Sequence, residues 1–280
     1  MAAPRSQALH VARTDCFLLT RQLPDDSRRK LNILLAEDDP VNRVLAQKLL
    51  QKQGHAVTSV NKGRETVQRW EQNRSHQFDV ILMDVQVPQM DGLQASSLIR
   101  EKELTTGAHT PIIALTAHAI KGDRERCLAA GADGYITKPI NPAELVETIQ
   151  VAFRNGAKLP AVQADPLPEG PSDAELPARF DGDGELLKEL AGIFLQECPK
   201  MLDDIREALH AGNPNALERA APTLKGAVGN FAMPGPRETA QRLELLAKSG
   251  KVSGAKDILH TLEQQLVLFK NTAEPAHQPS

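Results

Sequence analysis

The sequence has no excess of basic residues. Its 33 Lys and Arg stand against 36 Asp and Glu, a formal net charge of −3 and a pI near 6.3. Without a positive field there is nothing to grip a phosphate backbone, so nucleic acid is excluded as a partner. Cysteines are scarce as well. Cys16, Cys127 and Cys198 are far apart and form no CxxC pair, which excludes a disulfide framework or a zinc site and suits a reducing compartment. Long apolar runs are missing, and none approaches the ~18 residues of a membrane span. Arg5 and Arg13 are followed only by Cys16-Phe17-Leu18-Leu19, too short an apolar stretch for a secretory signal. The expectation is a soluble, cytoplasmic protein that takes its signal from another molecule.

What is present fills two ordinary domains, since 280 residues exceed a single core of ~100–200. A composition of 41% hydrophobic and 25% charged residues is that of a globular chain. Residues 1–30 carry no sustained periodicity and read as a disordered leader or the remnant of an upstream segment. From 31 to 154 short apolar runs alternate with amphipathic stretches: Asn32–Ala36, Ala56–Val60, Asp79–Met83, Pro111–Leu115 and Gly134–Thr137 are the runs. Five such repeats predict an α/β, doubly wound, five-stranded parallel sheet with helices on both faces. Residues 155–177 hold Pro160, Pro166, Pro168, Pro171 and Pro177, a linker composition. Over 178–271 the period is helical throughout, with Leu186, Leu190, Ile193, Phe194, Met201, Leu202, Ile205 and Leu209 on one stripe. Further helical starts near Asn213, Pro236 and Ser253 predict an all-α antiparallel bundle, and 272–280 a tail.

Ligands of an open parallel sheet bind beyond the carboxyl ends of its strands. Glu37, Asp38 and Asp39 follow the first predicted strand, Asp84 the third, Thr116 the fourth and Lys138 the fifth. Singly each has a plainer explanation: Asp38 or Asp39 and Thr116 as helix caps, Lys138 as a solvated lysine. The fold brings them to one edge. Clustered carboxylates repel one another and suit a hard divalent cation, most naturally Mg²⁺. An ionised Asp is then a nucleophile for phosphorus, and a lysine, a hydroxyl and backbone N–H groups stabilise the transferring oxygens.

Those residues lie in four blocks: Ile33-Leu34-Leu35-Ala36-Glu37-Asp38-Asp39-Pro40-Val41-Asn42, Met83-Asp84-Val85-Gln86-Val87-Pro88-Gln89-Met90-Asp91-Gly92, Ala114-Leu115-Thr116-Ala117 and Gly134-Tyr135-Ile136-Thr137-Lys138-Pro139-Ile140. In this order they resemble the receiver domain of response regulators, the hybrid sensor kinase kind in particular, over about residues 31–153. The resemblance implies a flavodoxin-like fold and a phosphoprotein whose phosphoacceptor is Asp84. It implies Mg²⁺ held by Asp38, Asp84 and the backbone carbonyl of Gln86, with Glu37 acting through water. Thr116, Ala117 and Lys138 would meet the phosphoryl group, and Thr116 and Tyr135 would report its arrival as a switch. Asp39 stands where this branch often has Asn, and whether its charge faces the metal is left open.

The helical half resembles a histidine-containing phosphotransfer (HPt) domain through Ile193-Phe194-Leu195-Gln196-Glu197-Cys198-Pro199 and Ala220-Ala221-Pro222-Thr223-Leu224-Lys225-Gly226-Ala227-Val228-Gly229-Asn230-Phe231. The family's relay histidine lies three residues before the lysine of a Lys-Gly pair. Lys225 and Gly226 keep that pair, but the histidine position is Pro222. The resemblance therefore implies a bundle unable to carry phosphate, which is left either as a docking or regulatory module or as an inert vestige. A proline in a helix interior costs ~3 kcal/mol, so a kink or fresh helical start is expected near Ala221–Pro222. His210 and His260 read as surface or capping residues, His55, His76, His109 and His118 as loop or exposed ones, and His10 and His277 as tail residues.

The leading expectation is a two-component phosphorelay protein that accepts phosphate on Asp84 from a histidine kinase or phosphotransfer protein. Its bundle would dock or regulate, and a second receiver is a further possible partner. As a phosphoacceptor with self-dephosphorylation, and with no Gly-rich ATP-binding block or kinase-type His box in the sequence, it is not expected to be a kinase. The alternatives are the carboxyl-terminal fragment of a hybrid sensor kinase, a phosphate-independent sequestering protein, and an Asp-nucleophile phosphatase. Asp84-Val85-Gln86 lacks the second acid that the last of these requires.

Overall fold

Side-chain alternation along each strand sorts the receiver half into two layers. Ile33, Leu35, Leu82, Ile113 and Leu115 fall in one buried cluster; Leu34, Ala36, Ile81, Ile112 and Ala114 fall in the other. Period-two alternation of residues apolar at every position is what a sheet covered on both faces demands. The computed structural model describes residues 29–72, 78–117, 121–155, 183–231, 233–249 and 254–273. The expected leader, the linker and most of the tail lie outside the described residues, as do His10, His76, His118 and His277.

The element order is β1 (Asn32–Ala36), α1 (Pro40–Lys52), β2 (Ala56–Val60), α2 (Gly63–Gln72), β3 (Val80–Asp84), α3 (Gly92–Thr106), β4 (Ile112–Thr116), α4 (Lys121–Ala129), β5 (Gly134–Thr137) and α5 (Pro142–Asn155). The five strands are parallel in the order β2-β1-β3-β4-β5. Strand order reverses between β1 and β3, so the crevice for a ligand opens at their carboxyl ends. Residues of α1 and α5 (Leu45, Leu49, Leu145, Ile149) fill the first cluster, and residues of α2, α3 and α4 (Val67, Ile99, Cys127) the second. Asp84 and Thr116 are the last residues of their strands, one position earlier than a reading in which they follow them.

Helix starts follow their caps. Asp39 Oδ1 accepts the N–H of Asn42 at 2.8 Å, with Pro40 in the first turn of α1. Asp91 Oδ1 accepts from Gln94 at 2.7 Å to start α3, which stops at Gly107 in a left-handed conformation, φ 67°. At the opposite end of the sheet from Asp84, Arg100 Nη2 binds Asp133 Oδ2 at 2.6 Å, and its Nη1 pairs with Glu103. That half-buried pairing ties α3 to the loop before β5.

Four helices follow: α6 (Gly184–His210), α7 (Pro214–Gly229), α8 (Pro234–Lys248) and α9 (Ala255–Ala273). Asp183 and Asn213 cap α6 and α7 through Leu186 N at 3.0 Å and Ala216 N at 3.1 Å. Phe194 and Phe231, with ring centroids 5.1 Å apart, sit in the bundle core. The fresh helical start expected at Pro222 does not occur. Helix α7 runs unbroken through Pro222, as α6 does through Pro199. Proline removes one N–H from the ladder, but the helix is held on both sides of the buried Pro222 by its tertiary packing.

Bundle and receiver belong to one compact unit beginning at Leu31. Val41, Leu45 and Leu49 of α1 share a continuous apolar cluster with Leu186, Leu190 and Phe194 of α6. Each side chain fully removed from water there contributes ~1.5–3 kcal/mol. Exposed pairs at the margin, such as Lys48 with Glu189 at 3.0 Å, add little.

Candidate functional site

The carboxyl end of β3 delivers Asp84 to the crevice, where it is 3% exposed. Its Oδ1 accepts the backbone N–H of Gln86 at 3.0 Å, and its Oδ2 accepts from Lys138 Nζ at 2.8 Å. Lys138 is set by β5: its own N–H donates to the carbonyl of Thr116 at 2.7 Å, and the Lys138–Pro139 peptide is cis. The same ammonium group lies 2.8 Å from both carboxylate oxygens of Glu37, with the hydrogen bond running to Oε1. Gly92 is required by this geometry, because a Cβ there would stand 2.1 Å from the carbonyl oxygen of Asp84.

Glu37, Asp38 and Asp84 each place a carboxylate oxygen within 4.8 Å of the others. Burial, then repulsion from Asp84, holds Glu37 well above the usual carboxylate range and pushes Asp38 up to about 6. Burial works against the charge on Lys138, but Asp84 and Glu37 outweigh it and raise its pKa. One ammonium cannot neutralise that many acids. Asp39 Oδ2 is buried without a hydrogen-bond donor, and Glu37 Oε2 has only the Lys138 ammonium beside it. Hard oxygen ligands, an uncompensated charge and an unused lone pair are what a small divalent cation satisfies, so the residues fit Mg²⁺. Asp39 spends its other oxygen on the α1 cap.

Arg43 went unnoticed in the sequence. Its Nη1 donates to the carbonyls of Glu37 and Asp38 at 3.1 Å each, fixing the acidic loop. Thr116 is 3% exposed at the end of β4, with Ala117 next along the chain. Tyr135, on β5, is partly buried against the α2–α4 side of the sheet. The histidines within the described residues take no part. His55, in the loop between α1 and β2, accepts from Leu31 N at 3.3 Å through Nδ1, and His109 pairs with Asp133 at 3.0 Å. His260 bonds Gln264 at 3.0 Å on an exposed face, and His210 is exposed in the last turn of α6.

The bundle reaches this site. Pro222 and Thr223 complete the walls of a cavity of about 10 Å³ whose other sides include Glu37, Asp38, Asp84, Gln86 and Lys138. That volume holds about one water. Lys225 Nζ donates to the carbonyl of Ala117 at 3.1 Å and pairs with Glu244 at 2.8 Å. A Cβ on Gly226 would lie 3.5 Å from Asn42, and one on Gly229 3.4 Å from Pro139. Asn230 Nδ2 donates to Asn42 Oδ1 at 2.8 Å. The polar contacts from Lys225 and Asn230 were invisible to helical periodicity, which shows which residues share a face but not what the face meets.

Two family models match the chain: the response regulator receiver domain over residues 33–150 and the Hpt domain over 189–272. The sensor protein GacS of Pseudomonas syringae pv. syringae is 32% identical over 262 residues, 89% of this chain and 28% of that protein. The signal transduction histidine-protein kinase BarA of Escherichia coli K12 is 30% identical over 234 residues, 81% of this chain and 25% of that protein. The chain thus spans about a quarter of the length of these relatives. Among solved structures, the receiver domain of a sensor histidine kinase from Pseudomonas aeruginosa, with magnesium in its active-site cleft, is 41% identical. It matches over 45% of this chain and 99% of that one, with a TM-score of 0.41. No helix among the described residues is long and apolar enough to cross a membrane.

Proposed function

We propose that this chain, which joins a response regulator receiver domain to an Hpt domain, accepts a phosphoryl group on Asp84 within a two-component phosphorelay. The observation that carries the reading is Lys138, whose ammonium bridges Asp84 and Glu37 at 2.8 Å within the acid trio. Residues 31–154 act as the receiver and 178–271 as the bundle. Asp38, Asp84 and the backbone carbonyl of Gln86, with Glu37 acting through water, would hold Mg²⁺, which would offset the charge on the transferring phosphoryl oxygens. A carboxylate oxygen of Asp84 attacks phosphorus as the bond to a donor histidine breaks, its electron pair leaving on the imidazole nitrogen. Lys138 meets one phosphoryl oxygen; Thr116 and the Ala117 backbone meet another. Thr116 and Tyr135 then carry the change to the α4–β5–α5 face of the domain. The donor is a histidine kinase or phosphotransfer protein.

In the bundle Pro222 replaces the relay histidine, and proline has no nitrogen free for phosphorylation. Phosphate therefore stops at Asp84 within this chain, and the bundle docks instead. Incubation with acetyl phosphate and Mg²⁺, read by intact mass, is expected to add one phosphoryl group to the wild type and none to Asp84→Asn. Equal labelling of the two would sink the reading. EDTA is expected to abolish labelling.

A further inference from the structure

The surface around Asp84 is already filled by another part of the same chain. Asn42, Ala117 and Pro139 ring the site, and each is in contact with α7 or its cap: Asn42 with Asn230, Ala117 with Lys225, Pro139 next to Gly229. Pro222 lines the same small cavity as Glu37, Asp38 and Asp84, the place to which a donor must deliver phosphorus. A covalently joined segment meets its target at an effective concentration of up to ~mM, so a protein arriving from solution competes at a disadvantage.

The occlusion is one-sided. Beside the small cavity lies a second one of about 560 Å³, opening on Gln86, Thr116 and Ala117 and sharing Thr223 as a wall. Arg126, Arg219 and Lys248 line it together with the acids Asp38, Asp91, Asp123 and Glu218, so it offers an anion single basic contacts and no net positive field. Its volume lies in the ~300–1,000 Å³ range that holds drug-sized ligands, and a small acyl phosphate is smaller still. Asp38, Gln86 and Ala117 of the receiver line both cavities, and Thr223, half-buried on α7, lines both from the bundle side.

From this geometry we infer that the His-less bundle is a donor filter: docked in cis, it denies Asp84 to phosphohistidine-bearing proteins while leaving a side entrance for small acyl phosphates. The inference rests on Asp84 being the phosphoacceptor. In the admitted reaction an Asp84 oxygen bonds to phosphorus, and the phosphorus–oxygen bond to the acyl group breaks. The electron pair leaves on the departing carboxylate, and no further reactant is needed. A protein donor gains access only when the bundle lifts, so any partner that captures the Pro222 face would turn the relay on.

The test compares the full chain with two undocked variants, Gly226→Arg/Gly229→Arg and Lys225→Glu, whose helical content is checked by circular dichroism. Each is offered acetyl phosphate or autophosphorylated Escherichia coli BarA. Transfer from BarA is expected to rise roughly tenfold or more on undocking, as it does when a competent population grows from about a tenth to most of the molecules. Acetyl phosphate should label all three chains at similar rates. Equal BarA transfer to wild type and variants, including none to any, overturns the filter. So does a parallel rise with acetyl phosphate, which would mean that no side entrance exists. Failure of acetyl phosphate to label any folded chain would instead remove the phosphoacceptor reading beneath it.

Discussion

Asn230 Nδ2 donates to Asn42 Oδ1 at 2.8 Å, and both residues are buried where the cap of α7 meets α1. A paired amide in such a place adds modest net stability, but an orphaned partner costs ~1–3 kcal/mol. Asn230→Leu is therefore expected to lower the unfolding free energy by about that amount. A double-mutant cycle with Asn42→Ala in urea should return a coupling of at least ~0.5 kcal/mol. Additive single effects would show that the two amides do not support one another.

Gly92 carries a different constraint. The 2.1 Å between its hypothetical Cβ and the carbonyl oxygen of Asp84 cannot be met by a side-chain rotation, because the obstacle is backbone. Gly92→Ala must push α3 away from β3 or displace the β3–α3 turn. A loss of ~1–3 kcal/mol is expected, as for other overpacked sites. The phosphorylation rate of Asp84 should fall with it, since Gln86 N and Asp84 Oδ1 lie in that turn. Wild-type labelling kinetics in Gly92→Ala would refute the constraint.

Pro222 sets two effects against each other. An interior helical proline costs ~3 kcal/mol relative to alanine. The buried ring repays part of that, at ~0.8 kcal/mol for each methylene kept from water. Pro222→Ala is thus expected to stabilise the chain by about 1 kcal/mol, read as a higher Tm. A lower Tm would mean that the ring's packing over the acidic cavity exceeds the helical penalty.

Much of this was legible from residues alone. The strands of the sheet interior are buried on both faces, so their apolar runs stand out, and the chemistry-bearing residues sit at their ends. Asn213, Pro236 and Ser253 marked the starts of the last three bundle helices to within about two residues. The contacts that join the halves were not legible. Asn42 and Asn230 lie 188 positions apart, and no local pattern distinguishes an amide aimed at a distant partner from a surface one. Arg43 was missed for a related reason: an arginine on an amphipathic helix usually faces water, and only the turn of the acidic loop brings two carbonyls to it. The double use of Asp39, capping α1 while adding charge beside the acids, likewise depends on backbone direction.

His55 gives the stability of the receiver a pH dependence of predictable sign. Its Nδ1 accepts the N–H of Leu31, which requires that nitrogen to be unprotonated. Burial lowers its pKa, partly opposed by the charge of Asp79. In the window between the lowered folded value and the ordinary ~6.5, the unfolded chain binds more protons than the folded one. Stability from this residue is complete above that ordinary value and is lost as pH falls through the folded one. Asp38 also titrates near 6, so a total profile mixes the two. The difference between wild type and His55→Gln isolates the histidine: urea midpoints measured from pH 8 to pH 5 should converge as pH falls. A constant offset across that range would mean that His55 does not change charge differently on folding.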